Sequence, residues 1–363
     1  MKIHALHGLD SPSASAFGLN ANNAATTRVA NGPWQTYISN TETSQVHGTL
    51  ADGWFSANVK AAQYNFGNYR FRYSADLKEV VPNLGPTSNI YLGVRIKVGT
   101  GFTGSNVCQL ASSVDVSNMI LLFSLTDLPA YAINKAYYLE VNLNFATNRI
   151  ERRVEGKPLA SLAMPAWMAT AVSATPGGTS VWFGVGAGQT GYSIQFNETH
   201  YFYWRDFYCV EWESGELPQF LGPQTCVKVP VDTVVAPGGV ASTGTATTVL
   251  KAGYVGQPLA TPTLTTDDAM STVSITYDAS SIPANAVLNG IAVKGRSAVS
   301  VNATGNLGVS LTVGGVETPD VTTPMVAAQT WYERLFSAPK TPSGLPWYQP
   351  NLANLTVKLK PKV

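Results

Sequence analysis

The sequence is poor in charge. Charged residues make up 12% of its 363 residues, about half of the ~25% that soluble domains usually carry. The formal net charge is only +1, so there is no broad basic surface and we expect no nucleic-acid partner. A neutral polar surface is weakly protected against association. Such a surface suits a subunit buried among its neighbours, and it would also suit a sugar-binding face.

Cysteines and apolar runs are scarce as well. The three cysteines, Cys108, Cys209 and Cys226, form an odd set without a CxxC pair, which favours reduced thiols in a protein assembled in the cytoplasm. Residues 1–17 lack the apolar stretch of a secretory signal. No apolar run reaches the ~18 residues of a membrane-spanning helix. We therefore expect a soluble protein that is not exported by the usual route and has no membrane partner.

The four histidines are too scattered to predict a metal site. His4 and His7 are close in sequence, but zinc needs three or four ligands and no further His or Cys is near. We expect ordinary surface histidines, with no metal and no cofactor.

The acidic residues do not form a catalytic pair either. A retaining glycosidase needs two carboxylates about 5–5.5 Å apart, and the one acidic cluster comprises Asp206, Glu211, Glu213 and Glu216. On a regular strand Asp206 and Glu211 point to opposite faces, whereas Glu213 precedes a predicted turn. The pattern favours solvated charges at the end of a strand, and we expect no enzymatic activity.

Short strands dominate what the sequence does contain. Residues 90–98, 119–125 and 137–145 are apolar or alternating runs divided by Gly, Pro and Asn, typical of a two-sheet sandwich. The run at 119–125 predicts a central strand covered on both faces. The alternation at 137–145 predicts that Glu140, Asn142 and Asn144 face solvent.

The pattern predicts an all-β protein with two β-sandwich, jelly-roll-like domains. Residues 1–33 are rich in Ala, Asn, Ser and Thr and predict an extended N-terminal arm. Residues 34–229 form the first sandwich. A Gly/Pro/Thr-rich stretch then precedes a second, smaller sandwich over residues 230–363.

One aromatic cluster is the candidate contact surface. Seven aromatic residues fall between positions 201 and 212. Strict alternation puts Tyr203 and Phe207 on one face and Trp204, Tyr208 and Trp212 on the other. One set fills the core, while the other packs under loops, stacks on sugar rings or contacts a subunit. The candidate glycan or partner contacts are Tyr203, Trp204, Tyr208 and Trp212.

The order of several motifs resembles that of tailed-bacteriophage virion structural proteins. In the first domain the motifs are residues 137–144, 149–156, 204–210 and the exit at 221–227, which resemble a concanavalin- or laminin-G-like jelly-roll module. In the second they are 277–278, 282–283, 289–291, Val293, Arg296 and the closing Leu345, Pro346 and Trp347, which resemble the C-terminal β-sandwich module of the same proteins.

This resemblance implies a virion component of the tail, baseplate, collar or fibre. It would be assembled in the host cytoplasm and would act as a homo-oligomer, for example a trimer, through contacts with its own copies and with other virion proteins. A carbohydrate-binding module that recognises a host surface glycan is the alternative. A polysaccharide-degrading enzyme is the third hypothesis.

Overall fold

The computed structural model describes residues 1–7, 27–28, 34–39, 44–49, 55–60, 70–99, 106–112, 118–173, 181–185, 199–213, 215–227, 229, 231–235, 241–242, 264–265, 272–297, 305–325, 330–337 and 355–362. The chain divides into two compact units, residues 2–226 and 227–363. The predicted boundary at 229/230 lies three residues from the observed one.

The first unit contains fifteen strands and two helices in its described part. The helices are α1 (Leu77–Val80) and α2 (Ala166–Ser173). The strands are β1 (Lys2–His7), β2 (Thr27–Arg28), β3 (Trp34–Ser39), β4 (Ser44–Thr49), β5 (Phe55–Lys60), β6 (Arg70–Asp76), β7 (Asn89–Val98), β8 (Asn106–Ser112), β9 (Met119–Ser124), β10 (Ala136–Asn144), β11 (Arg149–Val154), β12 (Lys157–Pro158), β13 (Leu162–Ala163), β14 (Val181–Val185) and β15 (Thr199–Glu211).

These strands form two antiparallel sheets around one core. The nine-stranded sheet has the order β12-β11-β10-β7-β15-β5-β4, with β1 also paired to β15 and β13 to β11. The six-stranded sheet has the order β2-β3-β6-β14-β8-β9. Val94 and Trp204 of the first sheet share one apolar cluster with Leu110 and Phe183 of the second. The unit is therefore a β-sandwich, because each sheet buries one face against the other.

The second unit is also built from antiparallel sheets. Its described strands are β16 (Val231–Val235), β17 (Ala241–Ser242), β18 (Leu264–Thr265), β19 (Val273–Tyr277), β20 (Gly290–Ser297), β21 (Gly305–Val313), β22 (Val316–Glu317), β23 (Val321–Met325), β24 (Thr330–Ser337) and β25 (Thr356–Lys362). A six-stranded sheet, β16-β19-β25-β21-β22 with β23 on β21, packs on the β20–β24 pair through a core that includes Val293, Val309 and Phe336. β17 and β18 form a separate pair. The predicted all-β class is thus confirmed. The predicted Leu345, Pro346 and Trp347 lie outside the described residues.

The N-terminal prediction needs a correction. Residues 2–7 are not an extended arm, because β1 pairs antiparallel with β15 and buries Ala5 in the core. Residues 27–28 form β2 and pair with β3. The rest of the predicted arm lies outside the described residues.

The apolar run at 119–125 is not a central strand. Within the described residues β9 pairs only with β8, so it lies at the margin of its sheet. Arg152 covers that margin. Its Nη1 donates to the Leu122 carbonyl oxygen at 2.6 Å, and its Nε and Nη2 donate to the Ala160 carbonyl oxygen at 3.1 and 2.8 Å. The run is apolar because Leu122 and Phe123 are fully buried, and a side chain from another strand satisfies the exposed backbone.

In the part of the chain that the structure describes, neither helix is long and apolar enough to cross a membrane.

Candidate functional site: the covered outer face of the nine-stranded sheet

A β-bulge in β15 decides which aromatic residues face the core. Arg205 pairs with Arg95 and Tyr208 with Gly93, so Asp206 and Phe207 together stand opposite Val94. Asp206 adopts a left-handed backbone with φ of 56°. The extra residue shifts the alternation by one position. Trp204 and Phe207 therefore both enter the core, whereas Tyr208 points to the outer face, the side of the sheet that faces away from this core.

The predicted grouping of the aromatic residues is wrong for this reason. Trp204 is separated from Tyr208 and lies in the core with 0% exposure. Tyr208 is on the outer face but is only 1% exposed, so neither ring offers a surface to a glycan or a partner. Tyr203 and Trp212 are half-buried. The Lys97 ammonium lies 4.5 Å from the centroid of the Tyr203 ring.

Gly93 allows Tyr208 to reach a buried carboxylate. On β7, Gly93 pairs with Tyr208 of β15 on one side and with Glu140 of β10 on the other. A Cβ on Gly93 would lie 2.1 Å from Cε1 of Tyr208, so the ring occupies the space that any larger residue would need. The Tyr208 hydroxyl donates to Oε1 of Glu140 at 2.8 Å. The Tyr208 side chain thus reaches across β7, from β15 to Glu140 on β10.

Residues 219–226, here called the strap, cover this face. Phe220 packs edge-on against Tyr91 with ring centroids 5.1 Å apart. The Gly222 N–H donates to Oε1 of Glu140 at 2.9 Å, and the Gln224 carbonyl oxygen accepts from Nη2 of Arg95 at 3.0 Å. The contacting residues recur at every second position and are half-buried, whereas residues 219, 223 and 225 are exposed. The strap is therefore an extended segment with one side on the sheet.

Asp206 fixes the end of the strap. Its Oδ1 accepts from the Cys226 N–H at 2.9 Å, and its Oδ2 accepts from Nε of Arg95 at 3.0 Å and from Nε of Arg205 at 2.8 Å. Asp206 is 2% exposed. A buried carboxylate needs such charged and backbone donors, so the bulge places Asp206 where the strap requires an acceptor.

Tyr138 completes the covered face. Its ring stacks on that of Tyr208 with centroids 6.5 Å apart, and the Arg95 guanidinium lies 5.2 Å from its centroid. The Tyr138 hydroxyl donates to the Asp206 carbonyl oxygen at 3.2 Å. Burial raises the pKa of both tyrosines well above the usual value, and the nearby Glu140 carboxylate raises it further. Both phenols are therefore neutral donors rather than bases.

Glu140 is the least satisfied member of the cluster. It is fully buried, and its Oε2 has no hydrogen-bond partner. Burial raises the pKa of Glu140, and the hydrogen bonds from Tyr208 and Gly222 offset part of that rise. The predicted exposure of Glu140 and Asn142 is wrong, because the strap covers the face towards which their strand alternation points them.

The other acids of the predicted cluster are engaged separately. Oε2 of Glu211 lies 3.1 Å from Nε2 of His4, and Oε2 of Glu216 accepts from the Glu213 N–H at 2.9 Å. The prediction of a surface His4 is wrong, because its side chain is 4% exposed. Burial lowers the pKa of His4, and the hydrogen bond with Glu211 opposes that shift. The side chains of His7, His47 and His200 lie outside the described set.

A second group of charges lies on the second unit. Nζ of Lys358 contacts Oε2 of Glu317 at 2.6 Å, and Nζ of Lys360 contacts both Glu317 and Asp320. The lysines lower the pKa of Glu317 to about 2. Nζ of Lys362 also contacts Oδ2 of Asp320 at 2.6 Å, so three lysines and two carboxylates form an ion-pair network on the sheet. Among the described residues no three His, Cys, Asp or Glu side chains come close enough to hold a metal ion.

Comparison with known proteins gives weak structural likeness only. No protein-family description matches the chain, and no curated protein matches it. A sialidase structure is similar with a TM-score of 0.30 and 12% identity over 53% of this chain and 19% of that one. Alginate lyase A1-II′, a member of polysaccharide lyase family 7, gives a TM-score of 0.32 and 11% identity over 47% and 85% of the two chains. Alginate lyase Aly36B gives a TM-score of 0.30 and 11% identity over 54% and 97%. The chain thus spans about a fifth of the length of that sialidase. Likeness at these TM-scores carries no argument about activity.

Proposed function

We propose that this protein is a non-catalytic structural subunit of a tailed-bacteriophage virion that acts through contacts between β-sandwiches. The supporting observation is the way in which the first unit uses its outer face. Glu140, Asp206, Tyr138 and Tyr208 are buried beneath the chain's own strap, and all four bind strap backbone or each other. These two carboxylates and two phenols are groups that can transfer protons in an enzyme, but here they are buried and stabilise the fold.

The composition supports the same proposal. A surface with 12% charged residues has little electrostatic protection against close approach of a second copy. The partners proposed are other copies of this chain and other virion proteins, and the site of action is the assembled particle. The motif order that resembles virion modules gives the proposal its biological setting.

Self-association of the purified full chain tests the proposal. Sedimentation velocity over a hundredfold concentration range should show a discrete oligomer that persists in moderate salt, because the contacts are neutral and salt screens only charges. A chain that stays monomeric at the highest concentration, and is missing from purified particles by mass spectrometry, would refute it.

A carbohydrate-binding role remains the second candidate because two aromatic residues keep some exposure. Tyr203 and Trp212 are half-buried, and sugar rings stack on such partly exposed aromatic faces. A glycan array probed with the native chain, Tyr203→Ala and Trp212→Ala tests this role. Binding that is lost in both variants, with unchanged circular dichroism, would favour it, whereas absence of binding by the native chain would remove it.

A further inference from the structure

The strap is the last part of the first unit before the second unit begins at Val227. It is held on the sheet by side chains rather than by a strand ladder. The Gly222 and Cys226 amides donate to the carboxylates of Glu140 and Asp206, and Arg95 donates to the Gln224 carbonyl oxygen. Trp212 Nε1 also donates to the Gln219 carbonyl oxygen at 2.9 Å, and the Phe220 ring contacts Tyr91 and the Arg153 guanidinium. A segment held by such side-chain contacts can leave without breaking the sheet, because no backbone pairing of the sheet depends on it.

A turn precedes the strap. The Glu216 N–H donates to the Glu213 carbonyl oxygen at 3.1 Å, and Gly215 has a φ of 90°. Leu217 is 86% exposed, so the chain leaves the turn without packing on the sheet. The backbone can change direction there at low cost, since glycine tolerates either sign of φ.

We propose that residues 219–226 detach from the nine-stranded sheet as one cooperative unit while the sheet stays folded. This detachment is a conformational change, and the proposal does not rest on the proposed virion role. Release would expose the polar outer face of the nine-stranded sheet.

The unpaired Oε2 of Glu140 makes docking sensitive to pH. The groups that face Glu140 are Tyr138 on β10, Arg153 on β11, Glu155 in the following turn, and Tyr208 on β15. β7 contributes Gly93, and the strap contributes Gly222 and no charged residue. Docking removes water from Glu140 and raises its pKa. The docked state therefore holds the proton more tightly, is most stable at acid pH, and loses stability as the pH rises through that raised pKa.

Amide exchange of the full chain, followed by NMR, tests the proposal. The Gly222 and Cys226 amides report docking directly, and the β7–β10 ladder reports unfolding of the sheet. We expect the two strap amides to share one opening constant, at least about a hundredfold larger than that of the ladder. Strap amides that exchange only as fast as the ladder, or that open with constants differing more than about tenfold, would overturn the proposal.

Arg95→Lys tests cooperativity, because it removes the bonds to Gln224 and Asp206 and leaves Glu140, the acceptor of the Gly222 amide, in place. Both opening constants should rise by the same factor, at least about fivefold, with the ladder unchanged. Arg149→Lys is the matched control, since Arg149 is 57% exposed on the neighbouring β11 and pairs only weakly with Glu151 at 3.5 Å. A rise at only one strap amide, or an equal rise in the control, would contradict a single unit.

Glu140→Gln tests the link to pH. After correction for intrinsic exchange, the native opening constant of Gly222 should rise with pH by up to about tenfold per unit between the ordinary and the raised pKa of Glu140. The variant should show a flat profile. If Glu140→Gln fails to fold, Tyr208→Phe serves instead, because loss of its hydroxyl should raise the pKa of Glu140 further and displace the profile to higher pH. A native profile that is flat, or falls as the pH rises, would refute the linkage.

Discussion

Replacing Gly93 by alanine tests the packing of the covered face most sharply. The added Cβ would lie 2.1 Å from Cε1, 2.7 Å from Cδ1 and 2.8 Å from Cζ of Tyr208, so the ring must leave its place over β7. Moving the ring breaks its hydrogen bond to Glu140 and its stacking on Tyr138. Since three ring atoms lie within 2.8 Å of the added Cβ, the ring must move as a whole.

The expected cost follows from two contributions. Forcing extra volume into a packed site costs about 1–3 kcal/mol, and losing a hydrogen bond to a charged group adds about 1.5–3 kcal/mol. Together they give about 2.5–6 kcal/mol, which lowers the melting temperature of a unit of this size by about 5–24 °C. Chemical denaturation followed by tryptophan fluorescence measures the change.

Two controls separate this cost from a general effect of alanine. Gly85→Ala makes the same substitution where the nearest atom is the Asn83 carbonyl oxygen at 3.7 Å, so its effect should stay within about 0.5 kcal/mol. In a Tyr208→Ala background the cost of Gly93→Ala should fall below about 1 kcal/mol, because the clashing ring is gone. Equal costs for the two glycines, or costs that add in the double variant, would refute the reasoning.

Three further changes have defined outcomes. Arg152→Ala should cost about 1–2 kcal/mol and promote aggregation, seen by denaturation and light scattering, because it removes the hydrogen bonds to the Leu122 and Ala160 carbonyl oxygens and leaves a sheet margin uncovered; unchanged stability would contradict this. Glu317→Gln should remove about 0.5–1 kcal/mol from the second unit at neutral pH. The folded pKa of Glu317 is about 2. The difference in free energy of unfolding between the native protein and the variant should therefore disappear as the pH falls from about 4.5 to 2. A variant that melts identically at pH 7 would contradict the ion-pair network. Of the three thiols only Cys226 should react with a thiol reagent in the native chain, because Cys108 and Cys209 are fully buried and burial raises the pKa of both; labelling of all three at equal rates would contradict the core.

The strands could be predicted because their hydrophobic period is local. The run at 90–98 became β7 (Asn89–Val98) and the run at 137–145 became β10 (Ala136–Asn144), each almost to the residue. Such features depend on neighbours two to four positions apart.

The candidate site could not be predicted, because it depends on contacts distant in sequence. One extra residue at Asp206 reversed the faces of Phe207 and Tyr208, and nothing in the local pattern marks that bulge. The alternating pattern of its strand predicts that Glu140 faces solvent. It is buried only because Gly222, 82 positions away, crosses over it. The sequence signal that was available is the small Gly93 between two large outer-face partners, and it becomes informative only once the strand order is known.

The sedimentation behaviour of the full-length chain tests the central claim most directly. If the protein acts through contacts between sandwiches, its sedimentation coefficient should correspond to one discrete oligomer at micromolar concentration and remain unchanged at higher salt. A sedimentation coefficient of a monomer at every concentration would contradict the account.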